Sequence, residues 1–186
     1  MMKLKIIAVV ILTSLTARAQ RFVDVLPLQL QFRYEDSASQ SKEIIQYQSY
    51  GFGIQQNQYR FELDYSQNKS QTGNGSLSIS TEINEYSLSG GYLIFEISAP
   101  EKSRSLNIFT SVHLGTTQSK VNTQLLGSSS TTAVSDKNTV LGLGVTLVGR
   151  LKYFLLETDF KIVNSKNFSP QTVPAAAIKM GFSIPY

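Results

Sequence analysis

The sequence predicts an all-β protein: an eight-stranded antiparallel up-and-down transmembrane β-barrel. Three observations carry that prediction. Segment after segment alternates apolar and polar side chains with a period of two, which is the signature of a strand with two unlike faces. Past the N-terminal nineteen residues, no apolar run approaches the ~20 residues that a membrane-crossing helix needs, and the longest candidate, Val140 to Val148, is broken by Gly142 and Gly144. Finally, the chain stops on an aromatic that completes an apolar face: Ala176, Ile178, Met180, Phe182, Ile184 and Tyr186 alternate with Ala177, Lys179, Gly181, Ser183 and Pro185.

The first nineteen residues read as a secretory signal. Lys3 and Lys5 precede an apolar stretch from Ile6 to Leu12, and Ala17-Arg18-Ala19 supplies the small-residue cleavage pattern, so cleavage is expected between Ala19 and Gln20. This divides the chain into a signal peptide, 1–19, and a barrel domain, 20–186. The same division changes the charge. The full chain is +4, but removing Lys3, Lys5 and Arg18 from its 17 Lys and Arg leaves 14 bases against 13 acids. A near-neutral chain gives no electrostatic basis for nucleic-acid binding. The absence of Cys excludes a disulfide scaffold, a thiolate metal site and a lipid-anchored N-terminus. Nothing in the sequence calls for a cofactor or a metal.

Taken in order, the first strand is expected near Leu26 to Glu35, with Leu28, Leu30, Phe32 and Tyr34 on one face. The second runs from about Ile44 to Gln55, and the third from Tyr59 to Gln67, with Tyr59, Phe61, Leu63 and Tyr65 opposite Arg60, Glu62, Asp64 and Ser66. The fourth spans Leu77 to Ile97, about twice the 9–11 residues that a strand uses to cross a bilayer. Its apolar residues change parity near Asn84-Glu85, which predicts a β-bulge there, and strands three and four are expected to continue above the membrane as a hairpin with its turn near Thr72-Gly73-Asn74-Gly75, where Asn-Gly is the hairpin signal. Strands five to seven are expected at Ser105–Gln118, Asn138–Arg150 and Tyr153–Val163. The terminal segment is the eighth, and Pro185, lacking an N–H, is expected to mark the end of its ladder.

Connections after strands two, four and six read as short, and those after one, three, five and seven as longer and polar, the longest being 119–137. This alternation is that of barrels with short turns on the periplasmic side and long loops outside. Tyr34 and Tyr65 then fall near the outer rim, and Tyr59, Phe154 and Tyr186 near the inner rim, as two aromatic girdles on the lipid face. Period-two patterning does not say which face is outermost, and a lipocalin-like soluble barrel, with its apolar face inward, shares it.

With these elements in place, the chain resembles the small eight-stranded bacterial outer-membrane barrels of the OmpX and OmpA-transmembrane type. The C-terminal strand, with Ile178, Met180, Phe182, Ile184 and Tyr186, resembles their assembly signal. The resemblance implies residence in the outer membrane after signal cleavage, contact with outer-membrane lipid, recognition by the barrel-assembly machinery through that strand, and a monomeric state.

Under this reading the inward face collects Arg33, Glu35, Arg60, Glu62, Asp64, Arg150, Glu157, Asp159, Lys161 and Lys179. An eight-stranded barrel is just wide enough for side chains to fill it, so these are expected to form a lumen charge network that plugs it. Glu62/Asp64 and Glu157/Asp159 could alternatively be read as acid–base pairs, but no nucleophile or cleft accompanies them. His113, the lone histidine, faces inward next to Ser111. HExxH, GxSxG and P-loop patterns are absent. The reading is therefore a non-enzymatic barrel with a structural or interaction role, its polar segments 68–76 and 119–137 serving as candidate surface-ligand loops. A narrow channel or hydrophobic-compound carrier is the alternative, followed by a lipid-A-modifying enzyme.

Overall fold

The computed structural model describes residues 21–36, 42–74, 77–99, 104–125, 131–166, 168 and 170–186; the signal-peptide reading of 1–19 lies outside them. Eight strands are present: β1 (Arg21–Asp36), β2 (Lys42–Gln56), β3 (Tyr59–Asn74), β4 (Leu77–Ser98), β5 (Arg104–Leu125), β6 (Thr131–Leu151), β7 (Phe154–Asn164) and β8 (Thr172–Pro185). Each pairs antiparallel with the next, and β8 returns to β1, closing the barrel. Among the described residues there is no helix.

Side-chain polarity settles the question that alternation left open. Phe52, Phe61, Leu63, Leu143, Phe160, Ile162, Phe182 and their neighbours are exposed, whereas the charged residues opposite them are buried. The apolar face is the outer one, the reverse of a soluble barrel. Such a surface is stable only against hydrocarbon, and closure removes the unpaired strand edges that hydrocarbon cannot satisfy. The fold is a transmembrane β-barrel.

Two bulges adjust the register, and neither lies at Asn84-Glu85. One is in β1 between Leu26 and Gln29, around Pro27. Proline cannot donate to a ladder, so a bulge is where a paired strand accommodates it. The bulge flips the parity of everything before it: Val25 faces outward and Asp24 and Leu26 face inward. The other lies in β4 between Leu93 and Phe95, leaving Ile94 and Phe95 both exposed. At Asn84-Glu85 the pairing to β3 and β5 is continuous. The parity change there has a different cause.

That cause is a projecting sheet. β2 pairs with β3 only as far as Gln48↔Gln67, and β7 with β6 only as far as Leu141↔Asn164. Beyond those pairs β3, β4, β5 and β6 continue together, through Asn74↔Leu77, Leu77↔Leu125 and Gln124↔Thr131. The expected continuation of β3 and β4 as a hairpin is present, and 119–137, expected as a loop, is mostly strand; 75–76 and 126–130 lie outside the described residues. The asymmetry between the two ends is one of strand length more than loop length. In this projection the polarity of the faces inverts. The outward face now carries Lys69, Glu82, Lys120 and Lys137, while Leu77, Ile79, Ile83, Val121 and Val134 fall on the inward side.

At the opposite end β2–β3 and β6–β7 are joined by two-residue turns, with Asn57 (φ 57°) and Lys152 (φ 54°) in the left-handed region. The C-terminal ladder runs one bond further than expected: Pro185 pairs with Phe22, and the Tyr186 N–H donates to the Arg21 carbonyl at 3.1 Å. Gly181 is what lets β8 approach the β1 bulge. A Cβ there would overlap the Val25 carbonyl, while one at Gly149 would meet nothing nearer than 3.6 Å. Gly181→Ala is expected to destabilise the barrel by about 1–3 kcal/mol, as overpacking does, and Gly149→Ala to change stability little. Urea titration of the lipid-folded chain, followed by the gel-mobility shift between folded and unfolded forms, compares the two.

Candidate functional site: the filled lumen and the outer rim

The barrel interior is the most chemically dense part of the molecule. Among the described residues it buries six carboxylates (Asp24, Glu62, Asp64, Glu85, Glu157, Asp159) and five bases (Arg33, Arg60, Arg150, Lys161, Lys179). Burial of an isolated charge is prohibitive, so such groups must neutralise one another. Strand geometry brings this about, because alternate residues of each strand point to the same interior.

Lys179, on β8, lies at the centre. Its ammonium pairs with Glu62, with Asp64 at 3.2 Å, with Glu157 at 3.1 Å and with Asp159 at 2.7 Å. Arg60 joins this group to the short-turn end by pairing with Glu62 (3.0 Å), Glu157 and Asp24. Asp24 also holds Arg150 (2.9 Å), which donates to Ser183 Oγ (2.9 Å) and lies over the Phe22 ring. Nearer the long-hairpin end Arg33 pairs with Glu85 and is faced by the rings of Tyr47 and Phe168, at 4.5 and 4.6 Å. Lys161 is buried beside this network and near enough to Asp159 to act on its charge, but among the described residues it is within salt-bridge distance of no carboxylate. Glu35 lies in β1, but its side chain is outside the described residues.

Two apolar clusters flank the charges. Leu26, Leu93, Phe109, Val148 and Leu155 meet toward the short-turn end; Val140, Val163, Phe168, Val173 and Ala175 meet toward the long-hairpin end. Phe168, from the β7–β8 connection, is only 6 % exposed and lies over Arg33. Glycines make the room: a Cβ on Gly51 would overlap the Gln29 amide and the Asp64 carboxylate, which are hydrogen-bonded to each other at 2.9 Å.

Glu62, Glu157 and Asp159 bring oxygens within 4.8 Å of one another, a spacing that suits a cation. Lys179 already supplies one at that place. The carboxylate pairs serve this ammonium rather than standing free for acid–base work. His113 is buried, with Nε2 3.1 Å from Ser111 Oγ, which also accepts from Thr146 at 3.3 Å. A nucleophile–base pair needs a third group to orient the base, and His113 Nδ1 has no hydrogen-bond partner. A catalytic triad is not assembled here.

On the outer face, Tyr34, Tyr59, Phe154 and Tyr186 are exposed and Tyr65 is half-buried; Tyr59 meets Tyr92 edge-on, and Tyr65 lies tilted against Tyr86 with ring centroids 5.0 Å apart. Ile178, Met180, Phe182 and Ile184 share this face. Register places Tyr50, Tyr65, Tyr86, Thr116 and Thr139 in one cross-strand row at the base of the projecting sheet.

An interior of paired charges inside an apolar exterior decides the fold type. This is the fold of the small outer-membrane barrels. The attachment invasion locus protein Ail of Yersinia pestis, solved in complex with the heparin analogue sucrose octasulfate, is similar with a TM-score of 0.56 at 11 % identity, over 90 % of this chain and 99 % of that one. Neisserial surface protein A is similar with a TM-score of 0.55 at 15 % identity, over 89 % and 97 %. No family model matches the chain, and no curated protein matches it in sequence. The likeness is one of fold.

Sequence reading missed Asp24, Glu85 and Phe168. Asp24 was hidden by the parity flip, for which Pro27 is the signal; Glu85 follows once Tyr86 and Leu88 are read as outward. Phe168 carries no periodic signal, because it lies in a connection. The network also separates its two buried lysines. Lys179→Met removes the shared partner of four carboxylates and is expected to cost about 3–5 kcal/mol. Lys161→Met, with no ion pair to lose, is expected to cost much less. Denaturant midpoints of the two variants in lipid measure the difference.

Proposed function

We propose that the protein is a non-enzymatic outer-membrane barrel whose lumen is structural and whose working surface is the projecting sheet. One observation carries this reading: the interior is occupied by mutually neutralising charges with an apolar cluster toward each end. This supports a structural lumen rather than a conduit, and it leaves interaction to β3–β6 beyond the membrane. Surface segments on a rigid scaffold are where binding usually resides. That Ail, a barrel of the same fold, was solved with a heparin analogue supports a ligand-facing role for such a surface.

The signal-like N-terminus supports export, and the alternating terminal strand supports recognition by the assembly machinery. With both termini of the barrel at the short-turn end, that end faces the periplasm and the projecting sheet faces outward; the chain acts as a monomer.

Expression with membrane fractionation tests location. The chain should resist carbonate extraction and migrate faster on gels before heating than after; a carbonate-soluble, heat-insensitive chain overturns the reading. In planar bilayers it should give no conductance above background, whereas reproducible single-channel steps would instead establish the narrow channel. The terminal strand has its own test. Tyr186→Ser, or deletion of 182–186, should abolish the heat-modifiable form in membranes more severely than deletion of 126–130, and equal assembly would remove the role assigned to that strand.

A further inference from the structure

The outer surface is not uniformly convex. A shallow groove of about 750 Å³ crosses the strands on the outside of the barrel, lined by the cross-strand row Phe52, Leu63, Leu88 and Leu114 and bordered at the projecting end by the row of three tyrosines and two threonines. The groove is continuous with the lipid-facing belt, so its occupant comes from the membrane and is apolar where it meets the floor. What lies above the row is the second, independent observation. The next outward-facing cross-strand row is Gln67, Asn84, Gln118 and Lys137, and the one after it Lys69, Glu82, Lys120 and Ser135.

Charges on this face are unbalanced. Glu82 is the one acid among three lysines, and it is committed: it accepts from the Gln67 amide at 2.9 Å and pairs with Lys69 at 3.6 Å. The Asn84 amide, foremost, holds its carboxyl below the usual range against the opposing effect of desolvation, with further help from Lys69 and Lys120. Lys120 and Lys137 are exposed; Lys120 lies across the ladder from Glu82, and among the described residues neither lysine is within salt-bridge distance of an acid. An apolar trough below, hydroxyls at its lip and a net excess of two positive charges above form an amphipathic receptor. It is complementary to a molecule with hydrocarbon at one end and negative charge at the other.

We infer that this groove and the lysines above it form a binding site for an anionic, phosphate-bearing lipid of the surrounding leaflet, its acyl chain on Phe52–Leu63–Leu88–Leu114 and its headgroup at Lys120 and Lys137. The inference rests on the transmembrane reading given above. A lysine near a lipid headgroup favours an anionic lipid by about fivefold, so the pair should give a preference of at least that size. The tyrosine row lies at the level where amphipathic rings sit at a lipid–water boundary, which puts the lysines on the headgroup side.

The test uses the folded chain in nanodiscs of dimyristoyl-phosphatidylcholine containing dimyristoyl-phosphatidylglycerol. The two lipids share acyl chains and differ in charge, and native mass spectrometry counts the lipids retained. The native chain should retain the phosphatidylglycerol at least about fivefold in excess of its share. Lys120→Gln/Lys137→Gln should bring that ratio near one without altering heat-modifiable mobility. Thr116→Trp, which fills the groove, should lower retention of both lipids. An inserted native chain that retains both lipids in proportion, a double variant that keeps the preference, or a dimer in place of bound lipid each overturns the inference while leaving the barrel reading intact. Failure to insert at all overturns both.

Discussion

Every other property of this molecule follows from the requirement that backbone polar groups in hydrocarbon find partners within the protein. Unsatisfied N–H and C=O groups cost several kcal/mol each in such surroundings. With no long apolar helix among the described residues, a closed sheet is the solution they adopt. Closure is made at the β1–β8 seam, where β8 meets a bulged strand containing a proline. The seam succeeds because the bulge absorbs Pro27, Gly181 yields space to the Val25 carbonyl, and the last amide of the chain still finds the Arg21 carbonyl.

Closing eight strands leaves an interior narrow enough for side chains to fill and too polar to collapse as an oily core. The charges solve this jointly. Lys179 alone satisfies carboxylates from its neighbour β7 and from β3, which is not adjacent to β8 in the sheet, so it ties distant walls together. Arg60 and Asp24 do the same toward the short-turn end. Interior ion pairs are costly to form from solvated ions and costly to break singly. A network of this kind therefore favours one register of all eight strands over slipped alternatives, since a slip by one residue would send each charge to the lipid face.

Much of this was legible in the sequence wherever one rule operated alone. In β3 and β7 the strict alternation of Tyr59 to Ser66 and of Phe154 to Val163 gave strand, face and interior charges together. The C-terminal strand was equally plain. Reading failed where two effects shared a signal. The parity change near Asn84-Glu85 looks like a bulge, but it records the passage of β4 from lipid into water, where the apolar side chains exchange faces. The true bulge at Leu93–Phe95 was masked by a run in which Ile94 and Phe95 are both apolar. Polar composition made 119–137 read as a loop, although its Thr, Val and Ser suit a solvated strand equally well. Phe168 and the Arg33–Glu85 pair depend on three-dimensional proximity that no local pattern encodes.

The exchange of faces along β3 to β6 does more than explain a misread bulge. A barrel with an unbroken greasy exterior could ride higher or lower in a bilayer, or lean, at little cost. Here the outward side of the same strands turns from leucine and tyrosine to lysine and glutamine within one residue pair. Sinking by that much would drag ammonium groups into hydrocarbon, and rising would lift tyrosine rings and leucines into water. The inversion works as a depth gauge written along four adjacent strands. It fixes the immersion and tilt of the barrel on one side, and with them the distance from the membrane at which the projecting sheet meets whatever approaches it.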